Sequence, residues 1–113
     1  MKKTKIHDIN IINRAVQSAL FCFDLATQLK EIFFFTYAER LKKAALGFYI
    51  NVTEATESSS VEEYLNFINI TRQSLLETAY ILSFLNEKQL LCDEVSTQIV
   101  NDLEQLTADL GNN

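Results

Sequence analysis

Arg40-Leu-Lys-Lys-Ala-Ala-Leu-Gly-Phe-Tyr-Ile-Asn-Val-Thr-Glu54 and Ser60-Val-Glu-Glu-Tyr-Leu-Asn-Phe-Ile-Asn-Ile-Thr-Arg-Gln-Ser-Leu-Leu-Glu77 decide the fold of this chain. In each, apolar residues return every three or four positions, the period of a helix with one buried face. Between them Glu57-Ser58-Ser59-Ser60 is too short for anything but a reversal, so the two helices are expected to lie antiparallel as neighbours. Ser60-Val-Glu-Glu63 has the capping-box spacing that starts a helix.

The core line expected of the first of these helices is Leu41, Ala44 or Ala45, Phe48, Val52 and Ala55. The second carries Tyr64, Ile68, Thr71, Leu75, Thr78, Leu82 and Leu85. Gly47 costs up to about 1 kcal/mol relative to alanine inside a helix, and its presence points to a crowded contact there.

Outward from this pair, two further helices are expected. One runs from about residue 8 to 30, with Asp8 as its N-cap. Its seam is Ile9, Ile12, Val16, Ala19, Phe23 and Ala26, and a second apolar set, Ile11, Ala15, Leu25 and Leu29 with Phe21 and Cys22, widens the stripe. The other runs from about 87 to 110, capped by Asn86-Glu-Lys-Gln89, with Val95, Ile99, Leu103, Leu106 and Leu110 inside. Its acids Glu87, Asp93 and Glu94 fall early, where the helix dipole favours them. Glu31-Ile-Phe-Phe-Phe35 breaks the period and reads as a connection whose rings plug the bundle end. Thr36-Tyr-Ala-Glu39 is a further capping box, giving a second helix over about 36–56 and a third over about 60–85.

The expected fold is therefore all-α, an antiparallel up-down-up-down four-helix bundle. In 113 residues there is no proline, only two glycines, no internal repeat and no linker, so one domain over 1–113 is expected. No apolar run approaches the roughly 18 residues of a membrane span. The basic start Met-Lys-Lys-Thr-Lys leads into His7-Asp8 rather than an apolar segment, and a cytoplasmic location without membrane contact is expected.

The chemistry is sparse. Cys22 and Cys92 are too few for a disulfide framework or zinc site and read as buried free thiols. The single histidine, His7, leaves no Glu-x-x-His pair for a di-iron centre, and phosphate loops and catalytic triads lack their residues. Glu54 and Glu77 have no base or metal ligand of another type beside them. No enzyme, metal or cofactor is expected. The glycosylation sequons at Asn51 and Asn69 fall inside helices and read as accidental.

The net charge of −5 hides an asymmetry. Residues 1–50 carry eight of the ten Lys and Arg against four acids, while residues 51–113 carry two against eleven. The basic half either attracts an anionic partner or complements the acidic half within the fold and across subunits. Arg40, Lys42 and Lys43 form a basic cluster and are the candidates for partner or nucleic-acid contact. Asn51, Glu54, Arg72 and Glu77 are the candidates for structural or interface polar roles, since polar groups on inner helix faces need hydrogen bonds.

The residues of Arg40 to Glu77 resemble the four-helix bundle family named for the 23S rRNA intervening sequence. Leu41, Lys42, Lys43, Ala44, Ala45, Asn51, Val52 and Glu54 match the first half of its pattern in kind or identity. Glu63, Tyr64, Phe67, Ile68, Ile70, Ser74, Leu75 and Glu77 match the second without a gap. Three places depart from it: Tyr49 stands where the family has proline, Ala55 where it has glycine, and Ser58 and Ser59 replace an arginine-rich turn. The resemblance implies a small bacterial, cytoplasmic protein, an antiparallel four-helix bundle that assembles into a ring-shaped homopentamer. A related branch, the accessory proteins of diversity-generating retroelements, presents basic surfaces to a reverse transcriptase and nucleic acid, which gives the second functional expectation.

Overall fold

The computed structural model describes residues 9–30 and 35–112. Four helices follow in order: α1 (Ile9–Lys30), α2 (Phe35–Thr56), α3 (Val61–Glu87) and α4 (Asp93–Asn112). Each packs against its two neighbours around a square, with no diagonal contact, and α1 meets α4 most sparsely. The all-α four-helix bundle is as expected, and no strand occurs among the described residues. The Asp8 cap, His7 and the run 31–34 lie outside them.

The α2–α3 hairpin closes with local hydrogen bonds. The Ser58 hydroxyl donates to the Ala55 carbonyl at 2.9 Å. Ser60 is the N-cap of α3, its Oγ accepting from the Glu63 amide at 3.1 Å. The Glu63 carboxylate reaches back to accept from the Ser59 amide at 2.9 Å, one residue before the cap, which still satisfies a helix-end donor. Tyr49 does not interrupt α2, which is continuous where a proline would remove a hydrogen bond.

Every residue of the expected core lines of α2 and α3 is buried, and Phe48, Leu41, Leu75 and Leu82 are fully so. A Cβ on Gly47 would lie 3.1 Å from the Ser74 Oγ, so α2 and α3 do approach closely at this glycine. Thr71 and Thr78 enter the core because their hydroxyls donate back to the Phe67 and Ser74 carbonyls at 2.8 and 2.7 Å.

Elsewhere the structure corrects the sequence reading. The buried line of α1 is Ile11, Ala15, Ala19, Cys22, Ala26 and Leu29. Ile12 and Val16 are only half-buried, and Phe23 is exposed on the flank. Four small side chains on this line let α1 come close to α2, which the bulkier alternative does not allow. Helix α2 begins at Phe35, so Thr36 sits in its first turn rather than capping it, and the Phe35 ring is exposed instead of plugging the bundle end.

The α3–α4 junction also moves. Helix α3 continues through Glu87, with Asn86 inside it and Lys88 as its C-cap. Gln89 turns left-handed at φ 61. Its amide donates to the Asn86 carbonyl, and the Leu90 amide donates to the Leu85 carbonyl at 3.0 Å. This is a Schellman ending, and Leu90 packs on the core that contains Leu85. Helix α4 therefore starts at Asp93 and not at 87, with the Cys92 carbonyl accepting its first bond. Cys92 is exposed rather than buried, and Val95 flanks the core instead of entering it.

Candidate functional site

Helix α2 distributes the basic cluster over three directions. Arg40 leans toward α3, where its Nη2 lies 3.4 Å from the Glu77 Oε2, both side chains exposed. Lys42 leans the other way, its Nζ 5.2 Å from the centre of the Phe23 ring on α1, a cation–π contact. Lys43 points outward, with no partner among the described residues. Residues two apart on a helix lie about 200° apart around its axis, so Arg40 and Lys42 cannot serve one flat surface together.

The polar candidates are spread as well. Asn51 is half-buried and its Nδ2 donates to the Gly47 carbonyl one turn back at 2.8 Å. Glu54 is exposed at the end of α2. Arg72 lies across from α4: a Cβ on Gly111 would meet its guanidinium at 3.2 Å, and its Nε is buried without a hydrogen-bond partner. The structure thus joins Arg40 with Glu77 and leaves Asn51, Glu54 and Arg72 apart.

The model for 23S rRNA-intervening sequence proteins matches residues 7–112. The chain belongs to this family. A crystal structure of a protein of unknown function from the S23 ribosomal protein family of Bacteroides thetaiotaomicron has the same fold. It superposes with a TM-score of 0.83 at 21% identity, covering 88% of this chain and 94% of that one. Comparison with curated proteins gives no match.

In this member of the 23S rRNA-intervening sequence family, sequence reasoning missed a groove between α1 and α4. Arg14, Gln17, Ser18 and Phe21 face Val95, Ile99, Asp102 and Leu106 across a cavity of about 550 Å³. At its edge the Arg14 Nη1 donates to the Asp109 Oδ2 at 3.0 Å, and Gln105 donates to Oδ1 at 3.0 Å. The groove exists because α1 and α4 are the least closely packed neighbours, a property of helix placement that no local pattern encodes. Among the described residues, no three His, Cys, Asp or Glu side chains converge to hold a metal, and no helix is long and apolar enough to cross a membrane. Burial pushes the Cys22 thiol up to about 12, so this cysteine carries little thiolate near neutral pH.

The Asp109 contacts give a pH prediction. The hydrogen bond from Gln105, then that from Arg14, holds its carboxyl below the usual range. A carboxyl lowered on folding adds stability that is full above its unfolded value near 4 and is lost as pH falls through the folded value. Asp109→Asn is expected to destabilise the protein by less than about 1 kcal/mol at pH 7, with the gap to wild type closing below pH 4 in denaturant titrations. A gap that widens on acidification contradicts the assignment.

Proposed function

We infer that this chain is a non-catalytic, cytoplasmic protein that assembles with copies of itself into a ring, five-membered by family resemblance, and serves as a scaffold for a binding partner. The observation that carries this reading is the apolar surface outside the core. Tyr80 is 71% exposed, Leu20 59% and Leu46 48%, and among the described residues ten more large apolar or aromatic side chains stand at 36% or above. Apolar area left in water forgoes about 25 cal/mol per Å², and this much of it outside the core supports a surface that associates.

Light scattering over a range of concentrations tests it directly. The expected mass is a multiple of 12.9 kDa, close to five. A mass of one chain throughout ends the self-assembly reading.

A second reading, an accessory that presents basic surface to nucleic acid and a reverse transcriptase, is favoured by one observation: Lys43 points to solvent on the basic helix. It predicts RNA binding that weakens steeply with salt and is abolished by Lys42→Glu with Lys43→Glu. The scaffold reading ranks first because Arg40 and Lys42 are already engaged by Glu77 and Phe23. Binding at low salt that the double variant leaves unchanged removes the second reading.

A further inference from the structure

Helices α1 and α4 part along the sparsest seam of the bundle and leave the cavity of about 550 Å³ described above. Its floor is apolar, built from Phe21 on α1 and from Val95, Ile99 and Leu106 on α4. A second hollow adjoins it along α4, sharing Gln98 and Asp102 and adding Asp93 and Glu94. Together they line α4 from residue 93 to residue 106, a length of about 20 Å at the rise of an α-helix. The free charge around this groove is of one sign. Asp93, Glu94 and Asp102 are exposed, and no cation pairs with them among the described residues. Arg14 is the one basic residue among those described that line it, and Asp109 holds its guanidinium at 3.0 Å.

We propose that this groove receives a cationic amphipathic helix of a partner protein. The proposal rests on the scaffold reading and names, for that scaffold, where the partner docks and the chemistry of what docks. Length selects the occupant first. A slot of about 20 Å between two rods matches a helix of about thirteen residues and exceeds what a compact small molecule fills. The floor selects next. A helix laid into a groove buries apolar anchors at i, i+3 or i+4, and i+7, and Val95, Ile99 and Leu106 recur along α4 at spacings of four and seven to receive them. Charge decides the flank. Lys or Arg beside the anchors meets Asp93, Glu94 and Asp102, so opposite signs face each other at the rim of an apolar centre. The same three acids turn away a phosphate backbone, which separates this surface from the basic cluster on α2.

A synthetic peptide of leucine and lysine, about fourteen residues long with its leucines on one helical stripe, is the probe. Its binding to the full chain is read by fluorescence anisotropy, beside a peptide with glutamate in place of every lysine. The wild type is expected to bind the lysine peptide and not the glutamate one, and to bind less tightly as salt rises. Asp102→Lys and, separately, Phe21→Ser are expected to weaken binding by about tenfold or more. Both positions are exposed, so the helical circular dichroism is expected to stay unchanged. Glu62→Lys, the same charge reversal at an exposed position of α3 outside the groove, is expected to leave binding within about twofold. Equal weakening by Glu62→Lys reduces the attraction to net charge and overturns the proposal. A wild type that ignores the lysine peptide overturns it as well. So does a fall in assembled mass for Asp102→Lys or Phe21→Ser without peptide, read by light scattering, because a second copy then fills the groove. The two readings fail separately: a monomeric wild type that binds the peptide at the groove removes self-assembly and keeps the docking site.

Discussion

Replacing Phe48 with alanine is expected to lower the unfolding free energy by about 3–5 kcal/mol, the largest loss of any single side-chain truncation among the described residues. Phe48 is fully buried and, among the described residues, the largest side chain so placed. It lies at the middle of α2, in one core with Leu41, Val52 and Leu75. Truncation removes the transfer energy of the ring and leaves a cavity that rigid helices close only in part. Small domains are stable by only about 5–15 kcal/mol, so the thermal midpoint is expected to drop by on the order of 15 °C. Circular dichroism melts of both proteins at one fixed concentration check this, since assembly makes the midpoint concentration-dependent. A drop of a degree or two contradicts the placement of Phe48 at the centre of the core.

The second large effect runs the other way in volume. Ala45→Leu is expected to destabilise by about 1–3 kcal/mol, although leucine forms helices well. Ala45 is fully buried, and so are Ala38 and Ala55 on α2 and Ala15 and Ala26 on α1. The helices meet across small residues, and neither groove lined by α4 reaches Ala45. Added methyl groups must push the helices apart or leave their preferred rotamers. The neighbouring change Leu46→Ala, at an exposed position, is expected to leave the melting of the isolated bundle within about 0.5 kcal/mol. Urea titrations of the two variants discriminate: equal losses mean that the inward and outward sides of α2 have been assigned wrongly.

The two halves of the hairpin explain how far a sequence of this kind can be read. On α2 and α3 the apolar residues follow one line each, and the capping serine and the crowded glycine sit where local chemistry puts them. On α1 two apolar lines overlap, and either satisfies helical periodicity equally well. The line with alanines and a cysteine is the one buried, because only small residues permit the observed closeness, and closeness belongs to the pair of helices rather than to α1. The candidate surface behaves the same way. That Arg40, Lys42 and Lys43 are basic and adjacent is plain from the chain. That one meets Glu77, one covers Phe23 and one faces outward follows from which helices flank α2.

The end of α3 makes the division clearest. Asn86-Glu-Lys-Gln89 has the composition of a helix start, yet the chain ends a helix there, with a non-glycine residue held at positive φ. No local preference favours glutamine in that conformation. It is held by two backbone hydrogen bonds and by Leu90 settling on the core. The amino-acid sequence by itself determined the helical class, the α2–α3 hairpin and the separation of charge between the two halves, since periodicity, capping and charge are properties of neighbouring residues. The tertiary structure alone decided which stripe of α1 is buried, where α3 stops, and that the basic and acidic helices occupy opposite sides, because each depends on surfaces that meet only once the four helices are packed.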